Sequence, residues 1–349
     1  IQNPYAPYIE SGVVANYRMF YGREKEINEI FQMLFSEDDT PLRSKSIILY
    51  GQKRTGKSSL LYHLGKRIET RKRAILVNMG DISSMADLSS GASRLLMDEK
   101  FFQAFCYILF DNLQNELYER HPELIARMEE AELAIPLEEM LDPAANHTLL
   151  FNRFFTRFNR LLDSGENAGK YSVILLIDEF TYVYSWIQQG ILSVDFMKFW
   201  KGIIQDLGLV GILVGQDYMP DFIAAVPNTF GSTEKHRVTY LTEENALRLI
   251  EEPIMMIDPD TFSMESRYKE GATSRILELT AGSAYYTMIL CDRLVRYLNE
   301  KCSNYVTDAD VNELLYTNML SGVNMLKKDY FDPLYNDEGC FDDTTRSDD

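Results

Sequence analysis

The chain has 349 residues, enough for two domains, and its 46% hydrophobic and 25% charged content is ordinary for a protein with a sizeable core. A formal net charge of −18 argues against a broadly basic nucleic-acid-binding face, although a local basic patch survives it. No apolar run approaches a membrane span and no secretory leader is visible, while Cys106, Cys291, Cys302 and Cys340 are scattered without a Cys-x-x-Cys pair. These features exclude a zinc or disulfide framework as an expectation and suit a reducing, cytoplasmic setting. The first residue is Ile1, so a trimmed piece of a longer protein is expected.

Residues 1–22 are polar and rich in Tyr and Pro, and predict an extended lead-in. Ile27, Ile30, Phe31 and Leu34 recur at helical spacing over 23–35. A charged loop follows, then an apolar strand over 46–50, a glycine-rich turn, and a helix to about Glu69. Residues 74–79 predict a second buried strand. Between the strands, 80–171 is a helical segment with patterns near 98–130 and 147–163, joined by a loop over 136–146. Their aromatic residues (Phe101, Phe105, Phe110; Phe154, Phe155, Phe158) are expected to face a core. Strands are predicted at 172–177, 209–214 and 237–241, with a helix over 191–206. Strands alternating with helices imply an α/β core with a mostly parallel five-stranded sheet. From Thr242 the chain turns all-helical, with helices to about Pro253 and over 272–280, 283–300 and 307–319. The expected domains are therefore a core over 1–240, a helical lid over 241–330, and an acidic linker or frayed end over 331–349. Cys106 and Cys291 fall in apolar helical patterns and read as core thiols. The histidines, His63, His121, His147 and His236, show no metal-ligand spacing.

Gly51-Gln52-Lys53-Arg54-Thr55-Gly56-Lys57-Ser58 matches the P-loop pattern G-x-x-x-x-G-K-[ST], with strand before it and helix after it. Glycines let successive backbone N–H groups point at a phosphate, and the following helix presents its positive end to the same anion. Gly51, Arg54, Thr55, Gly56, Lys57, Ser58 and Ser59 are the candidate phosphate-binding set. Lys57 reaches the β- and γ-phosphates, and the Ser58 hydroxyl is a Mg²⁺ ligand.

Hydrolysis needs a metal-holding carboxylate and a group that orients water. The apolar run 173–177 ends in Asp178-Glu179. Asp178 is assigned to Mg²⁺ and Glu179 to the attacking water. No Asn-Lys-x-Asp guanine motif is present. The strand ending at Val214 is expected between the other two, which is typical of ATPases with such a glutamate. Gln216 just after it is placed to sense the γ-phosphate, or is a turn residue. Arg237, in the cluster Lys235-His236-Arg237, touches phosphate in its own or a neighbouring subunit, or is a solvated strand end.

Together the motifs resemble the STAND ATPases and their archaeal and origin-recognition-type AAA+ relatives. Phe20-Tyr21-Gly22-Arg23-Glu24 is similar to that group's "F-x-G-R-E" box, 49–61 to its P-loop, and 175–180 to its Walker B. Leu241-Thr242 with Ala246, Leu249-Ile250 and Pro253 resembles the start of its lid, and 279–286 a lid box whose proline is Ala284 here. The resemblance implies that Tyr21, Gly22 and Arg23 lie against the adenine. Tyr285 is expected to pack in the lid core, with stacking in the proline's place as the alternative.

The resemblance also implies a slow, Mg²⁺-dependent ATPase that acts as a molecular switch between ADP and ATP states, with a homo-oligomer in the ATP state. Sensor and effector domains or a partner protein, and roles in signalling or antiviral defence, are implied with it. The other expectations left open are an AAA+-type ATPase that remodels protein or nucleic-acid complexes, a nucleotide-binding scaffold with negligible turnover, and a small-molecule phosphotransferase, which Asp178-Glu179 opposes.

Overall fold

The computed structural model describes residues 1–7, 13–89, 94–165, 168–258, 260–269 and 271–319. They group into two compact units: one holds Ile1–Ile27, Gly51–His63 and the described chain from Val238 on, the other Asn28–Tyr50 and Leu64–Arg237.

The second unit contains the main sheet. Its strands are β1 (Ser46–Tyr50), β2 (Ala74–Asp81), β3 (Ser172–Asp178), β4 (Val210–Gly215) and β5 (Glu234–Arg237). They pair in the order β2-β3-β4-β1-β5, and every pairing is parallel. β4 thus lies between β1 and β3, as expected from the sequence. Strands buried on both faces read as continuous apolar runs, which is why β1, β3 and β4 are legible. β5 is not such a strand, and here the sequence expectation is corrected. The strand is Glu234–Arg237, not 237–241, and it pairs with Ile47–Tyr50 at an edge, where charged residues are tolerated.

Helix α1 (Glu24–Leu34) precedes β1 in the chain, and α2 (Lys57–Glu69) follows it. The segment between β2 and β3 holds α3 (Arg94–Arg120), α4 (Pro122–Glu130), α5 (Leu137–Leu141) and α6 (His147–Leu162). The single helix expected near 98–130 is two, because Pro122 lacks an N–H and opens a new helix at its first turn. Part of the expected loop over 136–146 is helix α5, again started beside a proline, Pro136. The aromatic faces do turn inward: the Phe110 ring lies 5.0 Å from Phe154 and 5.4 Å from Phe151, all buried. After β3 come α7 (Thr181–Gln188) and α8 (Asp195–Gln205), then α9 (Met219–Ala225) and α10 (Pro227–Phe230) after β4. Only α8 is predicted from the sequence; the others have too few turns for their periodicity to stand out.

In the first unit, Thr242 caps α11 (Glu243–Glu251) by accepting from the Asn245 N–H, and a 3₁₀ turn at Glu252–Ile254 contains Pro253. The expectation of an all-helical second part is then corrected. Met256–Ile257 (β6) and Met264–Glu265 (β7) pair as a short antiparallel hairpin, too brief to register as a strand pattern. Helices α12 (Ala272–Thr280), α13 (Ala284–Lys301) and α14 (Asp308–Glu313) follow. Thr307 and Asp310 form a capping box on α14, and the helix expected to reach 319 becomes a π-helical turn from Leu314. The lead-in is anchored on these helices: the fully buried Tyr5 donates its hydroxyl to Ile250 O at 2.9 Å, and Asn3 Nδ2 donates to Asp292 Oδ1 at 2.7 Å. It includes a 3₁₀ turn at Tyr17–Met19. Cys106 and Cys291 are buried, as expected, and burial raises both thiol pKa values. Cys340 and the acidic stretch over 331–349 lie outside the described residues.

Candidate functional site

The P-loop residues belong to the first unit. After Tyr50 the chain curls through Arg54 (φ +68°) and Gly56 (φ +89°), and α2 begins at Lys57. Thr55 Oγ1 ties the turn by donating to Gln52 O at 2.9 Å. Gly51 is required by space: a Cβ there would lie 2.2 Å from the Val238 carbonyl oxygen, and a backbone atom cannot yield as a side chain does. Lys57 is 6% exposed, and its Nζ donates to Gly51 O at 2.8 Å and Gln52 O at 2.7 Å. Ser58 and Ser59 stand in the first turn of α2, and Ser59 Oγ accepts from the Val14 N–H at 3.0 Å. A buried ammonium inside a curled loop at a helix N-terminus fits an anionic phosphate chain.

A cavity opens beside this loop within the same unit. Its lining combines Val14, Met19, Phe20, Tyr21, Leu241, Leu249, Ala284, Tyr285 and Met288 with Arg23, Arg54, Thr55, Gly56 and Ser59. A mostly apolar lining with a few polar groups beside the loop suits a planar base joined to phosphates. Gly22 (φ +71°) turns the chain here, and a Cβ on it would meet the Asn245 side chain at 2.7 Å. The expected adenine-side residues take different parts. Tyr21 lines the cavity; burial and the neighbouring Glu252 carboxylate push its phenol up to about 12. Arg23 is buried and clamps the backbone: it donates to Thr55 O at 3.0 Å, to Thr239 O, and to Glu26. His63 of α2 stacks on Phe20 at 4.0 Å, and its Nε2 lies 2.7 Å from Val14 O. Burial holds its imidazole below the ordinary value, partly offset by the bond to Val14.

The carboxylate pair belongs to the second unit. Asp178 ends β3, and its Oδ1 accepts from the Glu179 N–H at 2.8 Å. Glu179 has a left-handed backbone (φ +55°), an uncommon conformation for a residue with a Cβ, often found at functional sites. Gln216, 5% exposed, donates from Nε2 to both Glu179 oxygens, at 2.8 and 2.6 Å. Its own N–H donates to Thr181 Oγ1 at 3.2 Å, and Phe180 N–H donates to Val214 O at 2.7 Å. These bonds tie the chain after β3 to the end of β4. Gln216, expected to sense a phosphate, thus has its amide on Glu179. Arg237, at the end of β5, is exposed and pairs bidentately with Asp217 at 3.2 and 3.1 Å, which raises the guanidinium's pKa.

The predicted residues therefore form two groups. Tyr21, Gly22, Arg23 and 51–59 lie in the first unit; Asp178, Glu179, Gln216 and Arg237 lie in the second. The sequence reading missed the cavity walls Val14, Leu241, Leu249 and Met288, and the Asp217 partner of Arg237. The walls carry only an apolar pattern that any core residue shares. Among the described residues no three His, Cys, Asp or Glu converge as a metal cage. Magnesium held through phosphate oxygens, waters and one or two protein oxygens needs none, and Ser58 and Asp178 are donors of the right hard-oxygen kind. No described helix is long and apolar enough to cross a membrane.

Comparison with known proteins places the chain further. The family described as AAA ATPase domain matches residues 19–194, just over half of the chain. No curated protein matches it. Among solved structures, an Aeropyrum pernix Orc1 protein in complex with DNA is similar at 13% identity and a TM-score of 0.48, over 87% of this chain and 67% of that one. The Drosophila ORC bound to DNA is similar at 11% identity and a TM-score of 0.47, over 89% and 65%. The Walker-type ATPase of Pyrococcus abyssi is similar at 15% identity and a TM-score of 0.48, over 81% and 70%. The chain thus spans about two thirds of each of these.

Proposed function

The chain belongs to the AAA ATPase domain family, and from that premise we propose that it is a slow, magnesium-dependent ATP-hydrolysing switch. The observation that carries the reading is the buried Lys57 ammonium inside the curled Gly51–Ser58 loop. We assign Lys57 and the backbone amides of 54–59 to the phosphates, and Tyr21, Gly22 and Arg23 to the adenine side. Ser58 and Asp178 are assigned to magnesium, which when bound neutralises phosphate charge. Glu179 orients the attacking water and takes its proton; Gln216 aims the Glu179 carboxylate. Arg237 contributes to phosphate contact once drawn from Asp217. We read 1–240 as the catalytic core and 241–330 as the lid. Differential binding of ATP and ADP to two core–lid arrangements is what makes such a protein a switch, and oligomerisation in the ATP state is its expected output.

Two variants test the chemistry. Lys57→Ala is expected to lose ATP binding, and Glu179→Gln to bind ATP without hydrolysing it, both read with labelled nucleotide in single-turnover assays. Hydrolysis by Glu179→Gln at the parental rate would remove Glu179 from the mechanism. The absence of any turnover by the parental protein would favour a nucleotide-binding scaffold. Elution volume with ADP and with a non-hydrolysable ATP analogue tests the switch.

A further inference from the structure

Besides Lys57 the P-loop carries Lys53 and Arg54, and Arg54 is directed differently. Arg54 sits in the left-handed region at φ +68°, and its guanidinium lies over the Tyr285 ring, 4.2 Å from the centroid. Tyr285 is in the first turn of α13, an 18-residue helix capped by Ser283, and only 9% of it is exposed. Both residues line the cavity beside the loop. Ala284, immediately before Tyr285, occupies the place of the lid proline in the proteins the sequence resembles. This cation–π contact joins the first turn of α13 to the phosphate loop.

Resting on the ATP-binding reading above, we propose that Tyr285 is a positioning residue that acts through Arg54. The ring holds the guanidinium plane so that its edge receives phosphate, and nucleotide binding thereby reinforces the docking of α13 on the loop. The chemistry of the guanidinium makes this possible. All five N–H donors lie in its plane, so a ring on its face leaves the edge able to bind a phosphate oxygen pair. A long side chain fixed in this way also loses less freedom when the anion binds. The coupling is reciprocal: a phosphate that fixes Arg54 fixes the ring, and with it the first turn of α13.

The test is a double-mutant cycle on the whole chain, using Arg54→Ala, Tyr285→Leu, both together, and Tyr285→Phe as the conservative variant. The probes are ADP and a non-hydrolysable ATP analogue by calorimetry, with amide hydrogen exchange of the first turn of α13 measured with and without nucleotide. Tyr285→Leu is expected to weaken the ATP analogue about fivefold, the size of one partly desolvated cation–π contact. The same change made in the Arg54→Ala background should have no further effect. Tyr285→Phe, which keeps the ring, should stay closer to the parental protein than Tyr285→Leu does. Without nucleotide, either single change should speed exchange in that turn, and the double change should add nothing. Equal weakening by Tyr285→Leu in both backgrounds would overturn the proposal and leave Tyr285 a wall of the cavity. A parental protein that binds neither nucleotide would instead overturn the ATP reading, while the nucleotide-free exchange cycle would still decide the stack.

Discussion

Replacing Gln216 by Leu tests how the Glu179 carboxylate is aimed. The two side chains are similar in size, and Gln216 is buried, so packing changes little while both amide donors vanish. What is lost is a pair of hydrogen bonds, 2.8 and 2.6 Å long, to the Glu179 carboxylate. A hydrogen bond to a charged group contributes about 1.5–3 kcal/mol. Glu179 keeps its backbone bond to Asp178, so residual order remains. If most of that energy holds the carboxylate in its working orientation, kcat falls about tenfold to a hundredfold, since about 1.36 kcal/mol is a factor of ten. KM for ATP should stay within about twofold, because the lost contact acts on the carboxylate we assign to the attacking water and not on the proposed nucleotide contacts. Steady-state phosphate release across an ATP titration reads both quantities, with thermal unfolding as a check on folding. An unchanged kcat would refute the positioning argument. A raised kcat would show that Gln216 restrains Glu179.

Three further outcomes are expected from the same geometry. Gly51→Ala drives a Cβ into the Val238 carbonyl at 2.2 Å, so it should destabilise the protein by about 1–3 kcal/mol in urea unfolding and abolish ATP binding. Arg23→Met keeps bulk but strips the donors from the Thr55 and Thr239 carbonyls, and should cost about 1–3 kcal/mol in the same assay. His63 has a folded pKa below its ordinary 6.5, so the unfolded chain binds more protons between those two values. Its contribution to stability is full above pH 6.5 and falls as pH drops through that window. Thermal stability from about pH 7 to about pH 5 should therefore decline less steeply in His63→Gln than in the parental chain.

The features legible without the structure are those set by local rules. The P-loop spacing, the apolar runs ending at Tyr50 and Asp178, and the Thr242 and Thr307 caps are set by neighbours in the chain. Their positions as strands, turn and helix starts are accordingly readable from the sequence. Strand β5 is not, because an edge strand of Glu, Lys, His and Arg has no apolar signal; its pairing with β1 alone makes it a strand. Pro122 and Pro136 are plain in the sequence, but whether a proline ends a helix or starts one depends on how the residues after it pack.

The long-range polar partners are beyond the sequence for a related reason. Gln216 on Glu179, Arg237 on Asp217, Arg23 on Thr55 and Thr239, and Arg54 on Tyr285 join residues far apart in the chain or choose one acceptor among many. Residue type shows that a guanidinium or an amide needs partners; only the fold decides which atoms satisfy it. The P-loop by itself therefore determined the kind of ligand chemistry. The tertiary structure decided that Gln216 grips a carboxylate, that Arg23 braces backbone, and that Arg54 lies on a ring, because those contacts exist only where separate elements meet.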